Sequence, residues 1–369
     1  MGAVGLQTHI WSNNFKSILL LIGFPFLLIG LIYCAQLGLI GYFGDGKDVA
    51  QGFATSGAWL IGTAPLALAV SGGWYGVAFF AHNGIIAMAT GARKVERKEE
   101  PDLYNLLENL AISRGMRMPQ LYVINSPSLN AYASGLTANQ YRVTVTRGLL
   151  QTLTRDEVEA VLAHELTHII NRDVRLIVIA SVFAGIISLI AQLIFRIFLH
   201  SGGRGIGRSR SSGGGGGAGA FILIALAAAV VSYVLAFVIQ MAISRRREFL
   251  ADAGAVELTK NPDAMISALQ KIDGASTIEA PEQLRALFID NPETGFMGLV
   301  ATHPPIAKRI EALVKFGGGR LPDAVNPPRD GPFQRSAIPP EPAPPQTPTA
   351  AQPAPSRGDE PWRRKGPWS

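Results

Sequence analysis

The chain has 369 residues and a formal net charge of +6, long enough for one or two domains with a real core. Only 16% of its residues are charged and 48% are hydrophobic, whereas a soluble enzyme of this length charges about a quarter of its residues; the charge is missing from a few long stretches, which implies membrane spans. The single cysteine, Cys34, excludes a disulfide framework and a cysteine-rich zinc site, and no basic and aromatic residues interleave for base stacking, so nucleic acid is not an expected partner.

Ile18 to Tyr42 is uncharged, long enough to cross a bilayer and too long for a signal-peptide core. A polar break at Asp45, Lys47 and Asp48 precedes a second uncharged stretch, Val49 to Ala92. It contains Pro65 and Gly72-Gly73 and exceeds what one span needs, which places a second span near 57–81. Residues 1–92 therefore form an N-terminal membrane region with spans at about 18–42 and 57–81. Charges return at Arg93. Asp102 to Arg114 is expected as an amphipathic helix on Leu103, Leu106, Leu107 and Leu110. Gln120 to Ile124 and Tyr141 to Thr146 are expected strands, the latter alternating as a half-buried strand does. Thr154 and Glu157 fit a capping box that opens the next helix.

Leu176 to Leu199 is expected as a third span, Ser201 to Gly219 as a flexible Gly/Ser/Arg-rich loop, and Phe221 to Ile243 as a fourth span. Residues 93–175 and 244–320 are then two parts of one soluble domain, with the hairpin 176–243 inserted between them. From 321 to 369 the chain is Pro-rich with almost no aliphatic residues, and is expected to be disordered or polyproline-like. The partner of this tail is unknown.

The chemistry centres on His164-Glu165-Leu166-Thr167-His168. On a helix, positions i and i+4 share a face, so two imidazoles can bind one Zn²⁺ from the same side while Glu165 serves as general base. A catalytic zinc needs a third protein ligand and an open position. Glu248, in Arg247-Glu248-Phe249-Leu250-Ala251-Asp252, is the candidate. Asp252 shares its face and can orient an imidazole. If the His164 helix ran unbroken into the third span, His168 would lie ~12 Å and Glu248 ~8 Å from the membrane edge, at 1.5 Å per residue. Two crossings between the ligands keep both on one side. Asn171, three residues past His168, either supports the ligand shell or caps the helix.

The motifs Asn130-Ala-Tyr-Ala-Ser-Gly135, Val161-Leu-Ala-His-Glu-Leu-Thr-His168, Asn171-Arg-Asp173, Arg247-Glu-Phe-Leu-Ala-Asp252 and Thr302-His-Pro-Pro305 together resemble the HtpX family of membrane zinc peptidases from about residue 90 to 315. The resemblance implies an α-rich α+β fold, a zincin-like metallopeptidase domain with a small β-sheet fused to about four transmembrane helices. It implies one catalytic zinc on His164, His168 and Glu248, and an endopeptidase in the bacterial inner membrane. Its site would face the cytoplasm and act on misfolded membrane proteins or unfolded polypeptides. It also makes Asn130 and His303 the candidate oxyanion donors, with His303 alternatively a fourth ligand in a resting state. The long Gly-rich loop and Pro-rich tail depart from the compact family pattern.

Basic residues flanking the spans, among them Arg93, Lys94, Arg97, Arg172 and Arg175, outnumber those in the intervening loops and place the catalytic side in the cytoplasm. The strand before Gly148 is expected to present an edge to which extended substrate adds. Three rival readings remain. A prenyl-protein (CAAX) protease would need more spans. A non-catalytic scaffold working through its tail would not need the intact set His164, Glu165, His168 and Glu248. A metal transporter would carry its ligands inside the spans.

Overall fold

A computed structural model of the chain describes residues 6–43, 49–183, 246–278, 287–289 and 303–320, with isolated positions at 185, 187, 189, 192, 196, 230 and 333. Met1–Gln334 forms one compact unit and Arg335–Ser369 a second, which lies outside the described residues.

Two long helices open the chain, α1 (Leu6–Phe43) and α2 (Val49–Thr90). Thr8–Ile40 and Ala50–Thr90 within them are long and apolar enough to cross a membrane. Their large apolar side chains face outward: Phe26 is 70% exposed, Ile61 79% and Phe80 81%. Such an apolar surface suits a helix that faces lipid. Both helices outrun the spans expected from the sequence because their polar ends have partners in the rest of the unit. Asn13 near the start of α1 is buried and bonded to the segment after His168, as described below. Near the end of α2, Asn83 Nδ2 donates to Gln140 O (2.8 Å) and Asn83 O accepts from Arg142 Nη1 (3.0 Å). The segment expected as the third span is a helix, α6, that covers 173–183 and is helical at the isolated positions through 196. Phe24 stacks on Phe183 at 4.5 Å, with the Tyr75 ring 5.5 Å from Phe183, which joins α1, α2 and α6. The expected fourth span, helical at 230, and the loop 201–219 otherwise lie outside the described residues.

Between α2 and α6 come β1 (Arg93–Lys94), α3 (Pro101–Ser113), β2 (Gln120–Ile124), β3 (Ala131–Ser134), β4 (Arg142–Thr146), α4 (Arg147–Thr152) and α5 (Arg155–Ile170). The mixed sheet has the order β1-β2-β4-β3; β2 and β4 are parallel and the outer pairs antiparallel. This corrects the expectation that the strand before Gly148 offers an edge. That strand is β4, and its hydrogen-bonding groups are taken by β2 on one side and β3 on the other. The edge strands are β1 and β3. The β3 edge is partly covered: Tyr132 bridges Phe288 and Ile289 N donates to Ala131 O (2.9 Å).

After the inserted region the chain returns in α7 (Arg246–Thr259), α8 (Pro262–Ile272) and α9 (Ile306–Gly317). The main core lies around α5, which is buried by the sheet, α3, α7 and α8. Position 333 departs from the expected disordered tail, since Phe333 N donates to Leu153 O (2.7 Å) and the side chain packs against this core.

Candidate metal centre

The sequence starts α5 firmly. Thr154 caps it, with Thr154 N donating to Glu157 Oε2 (2.7 Å) and Glu157 N to Thr154 Oγ1 (3.4 Å), so two otherwise orphaned amides at the helix start are satisfied. From Ala160 to Ile169 every residue is buried. The helix therefore shows little amphipathic pattern, as a helix enclosed on all sides should.

His164 and His168 share one face of α5, and Glu248 on α7 closes the third side. His164 Nε2 lies 3.1 Å from His168 Nε2. Glu248 Oε2 is 3.6 Å from His164 Nε2, and its Oε1 is 3.8 Å from His168 Nε2. All three residues are buried.

Each imidazole turns its other nitrogen to a carboxylate. His164 Nδ1 is 3.0 Å from Asp252 Oδ1, and His168 Nδ1 is 3.0 Å from Asp173 Oδ2. Carboxylates only accept, so each Nδ1 carries the proton of the neutral ring. Two Nε2 lone pairs then face each other at 3.1 Å, an arrangement that calls for a cation. Two nitrogens at about 2.0–2.1 Å from one tetrahedral divalent ion stand roughly 3.3 Å apart, close to the spacing seen. Among the described residues, Glu165 Oε1, Glu248 Oε2 and the buried ring nitrogens of His303 have no well-formed hydrogen bond, the nearest approach being His303 Nδ1 to Glu248 Oε1 at 3.2 Å. The donor set of two imidazoles and a carboxylate, with these unpaired atoms, fits a divalent metal.

The carboxylates are held in turn. Arg309 on α9, 1% exposed, grips Asp252 through Nε to Oδ2 (2.9 Å) and Nη2 to Oδ1 (2.6 Å), and donates through Nη1 to Ile289 O (3.1 Å). Asp173 Oδ1 meets His9 Nε2 (2.9 Å) and Asn13 Nδ2 (2.7 Å) of α1. Asp173 is in reach because α5 does not run unbroken into α6, contrary to the expectation behind the membrane-height estimate. Asn171 ends α5 and Arg172 adopts a left-handed backbone, φ 61°. The turn brings Asp173, first residue of α6, back beside His168.

The remaining expected residues separate by environment. Glu165 is buried next to His164. His303 Nδ1 stands 3.2 Å from Glu248 Oε1, at the metal face. Asn130 gives its amide to the fold: Nδ2 donates to Ser276 O (2.6 Å), and Oδ1 accepts from Ala131 N (2.9 Å) and Ile289 N (3.1 Å). Asn171 is buried with no hydrogen-bond partner for its side-chain amide among the described residues; two residues on, Asp173 makes the contact to His168.

The frame is tuned for positive charge. Burial alone would lower the His164 pKa, but Asp252 and Glu248 hold it up at about 9, so a proton and a metal ion compete for its Nε2. Burial opposes ionisation of Glu248, yet His303, His168 and His164 keep its carboxyl well below the usual range. Asp252 is likewise held down against burial by Arg309 and His164. Burial pushes the Glu165 carboxyl up, against the pull of the two imidazoles.

Arg309, Asp173, His9 and Asn13 were not singled out from the sequence. Arg309 had one local signal, its place on the helix opened by His303-Pro304-Pro305. Asp173 sat inside a quoted motif. His9 and Asn13 had none.

Comparison with known proteins gives the family. The model of a family described as Peptidase family M48 matches residues 97–316. A Protease HtpX homolog of Bacteroides fragilis is 43% identical over 326 residues, covering 86% of this chain and 100% of that protein. A Protease HtpX homolog of Streptococcus thermophilus is 35% identical over 290 residues, covering 78% of this chain and 94% of that protein. Among solved structures, the crystal structure of S. mikatae Ste24p is 21% identical and covers 82% of this chain and 66% of its own, with a TM-score of 0.39.

Proposed function

The chain belongs to peptidase family M48 and, within it, to the HtpX proteases, and from that membership we propose a zinc endopeptidase of the bacterial inner membrane, its site on the cytoplasmic side, that cleaves misfolded or damaged membrane proteins. The observation that carries the proposal is the pair of facing Nε2 atoms, 3.1 Å apart, closed by Glu248 and backed by a carboxylate behind each ring. Two imidazoles and one carboxylate suit zinc best among common divalent ions. When bound, zinc supplies Lewis acidity and makes a water nucleophilic near neutral pH.

The chain's own residues do the rest. His164, His168 and Glu248 hold the ion, and Asp252 and Asp173 fix the imidazole tautomers and ring orientations. Glu165 takes the proton of the attacking water and passes it to the leaving amine. Its buried carboxyl has a raised proton affinity, which suits a group that must carry a proton between two steps. His303 donates a hydrogen bond to the carbonyl oxygen as negative charge builds there. Asn130 is a positioning residue that ties β3 to the segments at 276 and 289. The membrane setting is supported by the contact of His9 and Asn13 with Asp173, which puts the ligands beside the first turns of a membrane helix. The cytoplasmic side is supported by the arginines and lysines that flank the spans.

The test compares the purified protein with Glu165→Gln for zinc content and for cleavage of an unfolded membrane protein. Equal zinc, with cleavage only by the unaltered protein, is the expected result. Zinc in both with cleavage by neither would favour a metal-binding scaffold instead.

A further inference from the structure

We propose that the N-terminal helix is a built part of the metal centre: His9 and Asn13 of α1 act as positioning residues that hold His168 on the metal through Asp173. The inference deepens the zinc reading above and rests on it.

The hydrogen bonds around Asp173 leave little freedom. Asp173 is 2% exposed. Its Oδ2 takes the Nδ1 proton of His168 at 3.0 Å. Its Oδ1 is 2.7 Å from Asn13 Nδ2 and 2.9 Å from His9 Nε2. Asn13 also donates through Nδ2 to Asn171 O at 3.1 Å, the carbonyl that ends the zinc helix. Those two bonds use both amide hydrogens of Asn13. The 3.1 Å contact between Asn13 Nδ2 and His9 Nε2 is therefore no bond, and Nε2–H of His9 points at Asp173. His168 is thus oriented by a carboxylate whose second oxygen accepts from two side chains on one turn of α1. The other ligand differs. His164 is oriented by Asp252, whose donors come from Arg309 in the soluble domain.

The matched family region starts at residue 97, so this support lies outside it, in a helix whose remaining length is apolar. Removing the two donors would leave one oxygen of a buried carboxylate unpaired, which costs more than the bonds themselves. Asp173 would then be free to rotate, which weakens its hold on the His168 Nδ1–H. Outer partners of this kind typically change metal affinity 10–100-fold.

The experiment uses the full-length protein in detergent and reads zinc affinity by competition with a chromophoric chelator, and the visible spectrum after Co²⁺ substitution. The double variant His9→Ala/Asn13→Ala should bind zinc roughly 10–100-fold more weakly and shift the cobalt spectrum. His9→Gln, which keeps an N–H donor, should recover much of the affinity. Trp11→Ala, on the same turns but 70% exposed, should match the unaltered protein in both. His164→Ala should lose zinc. If His164→Ala loses zinc while the double variant keeps wild-type affinity and spectrum, the role of α1 is refuted and the zinc site stands. An equal loss in Trp11→Ala would also refute it, by showing an effect of helix docking alone. Full zinc affinity in His164→Ala would overturn the zinc reading itself.

Discussion

Gly254 of α7 lies so close to Thr167 of α5 that a Cβ added to it would stand 2.3 Å from Thr167 Cγ2 and 2.7 Å from Oγ1. Thr167 is the residue before the ligand His168, and α7 carries Glu248. The spacing of the three ligands therefore depends on an absent methyl group. Thr167 cannot turn aside freely, because its Oγ1 donates to Ala163 O at 2.8 Å. Gly254→Ala should push the helices apart. Overpacking of this kind costs about 1–3 kcal/mol, against a gain of up to about 1 kcal/mol from better helix propensity. The expected results are a lower melting temperature and faster loss of metal to a chelator. Adding Thr167→Ser, which removes Cγ2, should restore part of both. A Gly254→Ala protein that melts and holds metal like the original would show that the helices can part without cost.

Glu157 anchors the start of the ligand helix to α8. It is 2% exposed and, besides the capping bond from Thr154 N, accepts from Ser267 Oγ (2.5 Å) and pairs with Lys271 Nζ (2.7 Å). Glu157→Ala would leave three donors without their acceptor and should destabilise by roughly 2–4 kcal/mol. Glu157→Gln keeps the shape and one acceptor, and should cost less. Denaturant unfolding measures both. Metal stoichiometry of the folded fraction should be unchanged, since Glu157 supports the helix end and touches no ligand. Loss of metal at full stability would place Glu157 in the site itself.

Arg309 should not be replaceable by lysine. Its planar fork holds both oxygens of Asp252 and the carbonyl of Ile289 at once, and a lysine offers a single point of charge. Arg309→Met should cost about 3–5 kcal/mol, because it strands the buried Asp252 carboxylate, and should weaken metal binding roughly 10–100-fold through His164. Arg309→Lys should recover only part of either. A double-mutant cycle with Asp252→Asn should show coupling of about 0.5–3 kcal/mol. Additive effects at the two positions would mean that the guanidinium acts on the site independently of Asp252.

What the sequence announced and what it hid follow from range. β2, the helix at α3 and the Thr154–Glu157 cap are local patterns, and the structure places them where periodicity and capping chemistry put them. His164, His168 and Glu248 converge because two share a helical turn and the third sits in its own helix motif. β3 was missed because Ala131 to Ser134 are all buried, which erases the alternation that marks a strand. The break at Arg172 was missed because neither Gly nor Pro announces it. Arg309 reaches His164 from 145 positions away, and His9 reaches Asp173 from 164. No spacing rule spans such separations.

Asn130 and His303 entered as equal candidates for the oxyanion, and their surroundings predict different failures. Asn130 is fully buried, and its amide bonds hold Ser276, Ala131 and Ile289. Asn130→Ala should leave those backbone groups unpaired and cost roughly 2–4 kcal/mol of stability, with activity lost in step with folding. His303 has two buried ring nitrogens without hydrogen-bond partners among the described residues and stands beside Glu248. His303→Ala removes no bond that holds the fold, so melting temperature and metal content should change little. Loss of one oxyanion donor typically lowers kcat 10²–10³-fold, with KM nearly unchanged, and that is the expected result. A drop in metal content with retained folding would instead make His303 a ligand, the resting-state role also expected from the sequence. A large effect on KM alone would place it in substrate binding rather than in charge stabilisation.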